Sequence, residues 1–264
     1  MIAFNTRVSN INPSFFNTYF PNNTVPPRYK ISRSANLGSS SGTTEQKATA
    51  RKVIANHLLQ LPNDVRYIFT DGSAKPNPGP AGSGVVITST SNHHDHIHAC
   101  TAALGCATNN TGELVAIGIG IELCVADNYN RDIYIYTDSK LMHNALTRNH
   151  NAGADNDLII QFLRQRMRDY KRNTKSNIII KWIPGHSGIP LNDVADTLAG
   201  AGSDISKQYT TDFDLTNTIL NHGFNYLVTL TTSFASKAIV NTLTSNASQQ
   251  LMVNVTTADL RSAQ

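Results

Sequence analysis

What limits the fold most is the order in which hydrophobic periodicities occur along the chain. From Val65 three strand-like runs follow one another, VRYIFTDG, GSGVVITST and HIHACTAAL, the first two separated by a Pro- and Gly-rich turn. Alternating, β-branched runs bounded by turn residues read as an antiparallel meander. The pattern then switches to helix and strand by turns. Leu114, Ile117, Ile121 and Val125 mark a helix from Asn109 to about Asp127, and a strand over 131–137 and a short helix from Ser139 to Leu146 follow. A longer helix from Asp155 to Arg172, the strand NIIIKWI and a last helix from Leu191 to Gly200 complete the series. A meander followed by such alternation predicts an α/β fold: a mixed five-stranded sheet with helices on both faces.

The flanks differ from this centre. Residues 1–43 are rich in Asn, Ser, Pro and Gly and end in GSSSG, a linker composition. Thr44 to Leu61 reads as a helix stopped by Pro62, with Val53, Ile54, Leu58 and Leu61 on one side. Residues 203–264 form a Thr-, Asn- and Ser-rich extension of unknown role, in which Ile219, Phe224, Leu227 and Leu230 permit a helix. The expected organisation is a leader over 1–43, a helix and linker over 44–63, one domain over 64–202 and the extension, both ends being poorly ordered. Charge follows the same division: residues 1–63 hold seven Lys or Arg against one acid, and residues 64–204 hold twelve against fourteen. The sequence pI near 9.0 therefore reflects the front segment. Cys100, Cys106 and Cys124 form no CxxC pair, which argues against a disulfide scaffold or zinc ribbon and for a reducing compartment. No stretch approaches the roughly 18 apolar residues of a membrane span. An intracellular location is expected, cytoplasmic or nuclear, with the acid-poor leader leaving mitochondrial import as the alternative.

Four acids sit where this fold can gather them. Asp71 closes the first strand and Asp138 follows the fourth, while Glu113 opens the helix after the meander and Asp196 lies in the first turns of the last helix. If the first and fourth strands are neighbours, their carboxylates emerge side by side. Such a group cannot ionise fully without cations, because like charges a few ångströms apart raise one another's pKa. A hard divalent ion with oxygen ligands resolves the conflict. A pair of such ions can serve a phosphodiester displacement.

The segments TDGSAKPNPGPAGSG, TNNTGEL, YTDSK and PGHSGIPLNDVADTLA, in that order, resemble type 1 ribonuclease H, especially the forms embedded in retroelement polyproteins. The resemblance covers about residues 64–202. It implies a ribonuclease H-like fold and endonucleolytic hydrolysis of the RNA strand of RNA/DNA hybrids, leaving 3′-hydroxyl and 5′-phosphate ends. The implied metal ligands are Asp71, Glu113, Asp138 and Asp196, holding two Mg²⁺ with Mn²⁺ as an alternative. His186, implied to move a proton or release product, completes the catalytic set. Implied substrate contacts are Asn77, Thr108 at a DNA-phosphate pocket, Asn109, Asn110 and Asn192. Asn carries both a donor and an acceptor, which suits a ribose 2′-hydroxyl and base edges in a wide minor groove.

Two features depart from the family pattern. HNALTRNHNAGADND is short, with one Arg and no Trp, where bacterial members carry a basic handle. Hybrid affinity is then sought in a candidate basic face, Arg164, Arg168, Lys171 and Lys175, spaced along one side of a helix. Gly112 stands where the family often has Ala or Met, at a cost of up to about 1 kcal/mol in helix propensity. His93, His94, His96 and His98 read as an exposed hairpin rather than a metal cluster, and Trp182 as core. The expected partner is an RNA/DNA hybrid met by a monomer, with no membrane. No YxDD box occurs in these 264 residues, so any reverse transcriptase partner is expected as a separate chain or a lost neighbour. The competing readings are a hybrid-binding module without turnover and another nuclease of the same superfold. Retention of all four acids with His186, and the motif order, weigh against them.

Overall fold

The computed structural model describes residues 43–62, 64–89, 98–148, 154–207 and 214–230. The elements are α1 (Thr44–Leu59), β1 (Arg66–Ala74), β2 (Gly79–Ser89), β3 (His98–Ala107), α2 (Asn109–Ala126), β4 (Ile133–Thr137), α3 (Lys140–Arg148), α4 (Ala154–Thr174), β5 (Ile178–Trp182), α5 (Pro190–Ser206) and α6 (Leu215–His222). A 3₁₀ turn over Phe224–Leu227 and a strand β6 (Val228–Leu230) follow. The five expected strands form a mixed sheet. β1, β2 and β3 make the antiparallel meander, and β4 and β5 add in parallel beside β1.

Beyond those five, β6 joins the outer edge of β3, giving the order β5-β4-β1-β2-β3-β6. The sequence suggested a helix through Leu230, but Gly223 at φ 80 ends α6 and turns the chain back to the sheet. Phe224 is fully buried, on a notch in α2 where a side chain at Gly118 would come within 2.4 Å of its ring. Residues 214–230 thus pack as part of the fold, whereas the expectation for residues 1–42 and 231–264 lies outside the described residues. Most of the His93–His98 run and residues 149–153 also lie outside them. Among the described residues no helix is long and apolar enough to cross a membrane.

Cross-strand partners share a face of the sheet, so the register sorts the side chains. Phe69, Val86, Ala99 and Tyr136 are partners across β1–β2, β2–β3 and β1–β4, and they pack with Ile54 of α1 and with Val194, Ala195 and Leu198 of α5. On the other face Ile68 and Val85 meet α2 at Gly120. Each of these cores removes apolar surface from water at roughly 25 cal/mol per Å².

Glycines set how closely the helices approach. A Cβ on Gly84 would lie 2.0 Å from the Ala195 carbonyl oxygen, and one on Gly82 would lie 2.2 Å from the Ser203 nitrogen, both in α5. On the opposite face a Cβ on Gly72 would meet the Glu113 nitrogen at 2.3 Å, and one on Gly112 the Gly82 carbonyl oxygen at 2.7 Å. Gly112 is therefore a close-packing residue at the foot of α2, and its lost helix propensity is offset by contact. The same logic carries α5 beyond Gly200, where the sequence predicted its end: Gly202 sits where a Cβ would meet the Ala102 carbonyl at 2.3 Å.

Candidate active site

β1 and β4 are parallel neighbours, with Thr70 opposite Thr137. Asp71 and Asp138 therefore leave the same end of the sheet side by side. Asp71 pairs with Gly84 on the face covered by α5, and Glu113 reaches the same end from the first turns of α2. Asp71, Glu113 and Asp138 each present a carboxylate oxygen, and these atoms lie within 4.8 Å of one another. Asp71 is 7% and Glu113 4% exposed.

The acids perturb one another as their spacing requires. Burial first, then the charge of Asp138, pushes Asp71 up to about 8, and Glu113 is driven well above the carboxylate range by burial and by Asp71. Asp138 is raised by burial, against which Glu113, the Asn192 amide and the charge of His186 act. Asp196 is exposed at the rim, and its charge acts on both Asp71 and Asp138. An all-oxygen donor set that crowds its own negative charge fits a hard divalent cation.

The supporting bonds come from residues the sequence reading left unassigned. Thr137 Oγ1 donates to Glu113 Oε2 at 3.0 Å, and the Gly72 amide donates to Asp71 Oδ1 at 2.8 Å. Trp182 is core, as expected, and its indole N–H also donates to the Asp138 carbonyl at 2.9 Å. Gly185 leaves room for Asp138, whose Oδ2 would lie 2.6 Å from a Cβ there. Strand alternation in IYIYTD could have marked Thr137, since the residue before a strand-end acid faces away from it and toward the helix on the other side.

His186 is exposed, at φ 49, on the turn between β5 and α5. Its charge acts on Asp138 and on Asp193, a half-buried acid of α5 that is raised by burial and by Asp196, and also feels Arg51. Asn192 is buried and donates its amide to Asp138 Oδ2 at 3.4 Å, leaving its own Oδ1 buried without a partner. Asn77 Nδ2 donates to Asn109 Oδ1 at 2.7 Å, and the Asn109 amide donates to Asn77 Oδ1 at 3.1 Å, joining the β1–β2 turn to the start of α2. The Asn110 amide donates to Asn109 Oδ1, and Thr108 caps α2 by accepting from the Thr111 amide at 3.1 Å. These four residues meet at the N-terminus of α2, the helix that carries Glu113.

The candidate basic face runs elsewhere. Arg164 is half-buried and donates to the Ala145 carbonyl, and Arg168 donates to Gln165. Lys171 donates to Asn177 Oδ1 at 3.0 Å and Lys175 to the Arg172 carbonyl at 2.9 Å. Asn177 precedes β5, so the stripe leads toward the end of the sheet where β4 and β5 begin, opposite the carboxylates. Of its flanking residues, Arg166 pairs with Glu122 and Arg172 with Asp169.

A family model described as RNase H matches residues 63–204. The ribonuclease H of Tropheryma whipplei strain Twist is 34% identical over 102 residues, 35% of this chain and 60% of that protein, and the protein of strain TW08/27 matches equally. The chain thus spans 60% of the length of these curated relatives. Among solved structures, RNase H1 from Halobacterium salinarum is 29% identical, covering 53% of this chain and 98% of that one at a TM-score of 0.43. LC11-RNase H1 in complex with an RNA/DNA hybrid is 26% identical, covering 54% and 99% at a TM-score of 0.43. An N-terminal RNase H domain from Mycobacterium tuberculosis is 24% identical, covering 55% and 98% at 0.45.

Proposed function

This chain belongs to the RNase H family, and on that premise we propose that it cuts the RNA strand of RNA/DNA hybrids endonucleolytically, with two divalent ions at the Asp71–Glu113–Asp138 cluster. The observation that carries the reading is the convergence of three carboxylate oxygens within 4.8 Å from three separate elements, with Asp196 at the rim. Asp71, Glu113, Asp138 and Asp196 are the residues that would hold Mg²⁺, or Mn²⁺ in its place. When bound, the ions supply the positive charge that activates water and stabilises a departing 3′ oxygen.

The chain's own groups supply positioning. Thr137 holds Glu113, and Asn192 with the Trp182-bound backbone holds Asp138, so the ligands need little reorganisation when substrate arrives. His186, exposed and close enough for its charge to act on Asp138, is placed to carry a proton to or from the reacting phosphodiester or to help product leave. The Asn77–Asn109 pair, with Asn110 and Thr108 at the N-terminus of α2, offers donors and acceptors for the backbone of a hybrid. A 2′-hydroxyl is the group there that separates RNA from DNA.

The experiment is incubation of an end-labelled hybrid with the full chain and Mg²⁺, with and without chelator. The RNA strand should be cut internally only when metal is free, and Asp138→Asn should remove the activity. A fully active Asp138→Asn protein, or equal cutting in chelator, refutes the assignment.

A further inference from the structure

We propose that Arg51, on the helix that precedes the family-matched residues, is a positioning residue that holds the turn carrying His186. The inference rests on the nuclease reading above and extends the working site to α1, outside residues 63–204.

The turn between β5 and α5 contains two left-handed residues, His186 at φ 49 and Gly188 at φ 67. A non-glycine residue in that region costs on the order of 1 kcal/mol or more and persists only where its surroundings impose it. The ends of the turn are fixed within the domain. The Ile183 amide donates to the Thr137 carbonyl at 3.0 Å, and the Asn192 and Asp193 amides both donate to the Ile189 carbonyl, at 2.9 and 3.0 Å. Its middle is held differently. Ser187 is 2% exposed and donates its hydroxyl to the Gly185 carbonyl at 3.3 Å, while its own carbonyl accepts from Arg51 Nε at 3.2 Å.

The guanidinium also lies against Gly188, where a Cβ would come within 3.2 Å of both Cζ and Nη2. Arg51 therefore reaches the two residues that follow His186. One turn along α1, on the same side, Ile54 is fully buried in a cluster that includes Ile183 and Ile189, which flank the turn. The apolar contact fixes the helix against the turn's ends, and the hydrogen bond fixes the turn's middle. The charge of Arg51, like that of His186, acts on Asp193. None of the carboxylates Asp71, Glu113 or Asp138 depends on Arg51 for a hydrogen bond in this arrangement.

The consequence is selective. Without the Arg51 donor the acids keep their places and the hybrid still binds, but the His186 ring is no longer aimed. Misplacement of a reacting group by about 1 Å can cost on the order of 100-fold in rate. The test uses the full chain with Arg51→Met, which keeps the stem and loses the donor, Arg51→Gln, which keeps a side-chain N–H, and His186→Ala, singly and combined.

Amide hydrogen exchange over residues 185–189 should quicken roughly tenfold in Arg51→Met, with β1 unchanged, and Arg51→Gln should restore much of the protection. On a hybrid, Arg51→Met should lower kcat about tenfold with KM within about twofold, and in the His186→Ala background it should change kcat by less than about twofold. Unchanged exchange at the turn, equal loosening of β1, or kcat losses that multiply in the double variant would overturn the proposal. If the unaltered protein does not cut hybrid, the nuclease reading falls, while the exchange experiment still decides whether Arg51 holds the turn.

Discussion

Replacing Asp71 with Asn should raise the melting temperature of the metal-free protein while removing its cleavage activity. Asp71 is 7% exposed, and burial together with the charge of Asp138 lifts its carboxyl from 3.8 to about 8. Between those values the folded chain holds a proton that the unfolded chain releases, so unfolding becomes easier as the pH rises. The stability that this group contributes is complete below pH 3.8 and is lost as the pH passes through about 8. Integrated to pH 7, the difference in proton affinity amounts to about 4 kcal/mol, at about 1.4 kcal/mol for each factor of ten. Asparagine has no charge to desolvate, and its Oδ1 can still accept the Gly72 amide that now bonds Asp71 at 2.8 Å.

At roughly 2–4 °C per kcal/mol for a domain of this size, the gain in chelator at pH 7 should be about 10 °C. Calorimetric scans in chelator from pH 4 to pH 8 test the sign as well as the size. The gain should grow across that range and vanish at its acid end. Added Mg²⁺ should raise the melting point of the unaltered protein far more than that of Asp71→Asn, because binding to the folded state alone is stabilising. A variant that melts lower than the parent at pH 7, or a gain that ignores pH, refutes the reasoning.

Other outcomes follow from the same contacts. Gly84→Ala should destabilise the protein by more than about 2 kcal/mol in a denaturant titration and weaken cleavage, since its Cβ would lie 2.0 Å from the backbone oxygen of Ala195, the residue before Asp196. Phe224→Ala should cost about 3–5 kcal/mol although it lies outside the family-matched residues, because the ring is fully buried over Gly118. An unaltered midpoint would show that the segment after α5 is not part of the folded unit.

The sheet was legible because alternation in IYIYT and VRYIFTDG states both strand identity and which face each residue takes. The gathering of Asp71, Glu113 and Asp138 was legible for a related reason: acids at strand ends and in the first turns of a helix are brought to one edge by this topology. What the sequence hid were contacts between distant segments. Gly112 and Gly202 read as weak helix formers until the sheet backbone opposite them is known. Gly223 was the signal that α6 stops, and the β-branched Val228 and Thr229 that follow it suit a strand, but a helical spacing of apolar residues competed with it. The basic stripe on α4 kept its helical spacing, yet spacing gives a face and not a destination, and Lys171 ends beside Asn177 at the opposite end of the sheet. Arg51 carried no local signal, because its partner Ser187 lies 136 residues away.

The most direct measurement is anomalous scattering from crystals of the full chain grown with Mn²⁺ and an uncleavable hybrid. The account expects two peaks about 3.5–4 Å apart, held among the carboxylates of Asp71, Glu113, Asp138 and Asp196. Manganese bound away from Asp71, Glu113 and Asp138, with the hybrid's scissile phosphate also distant from them, would contradict it.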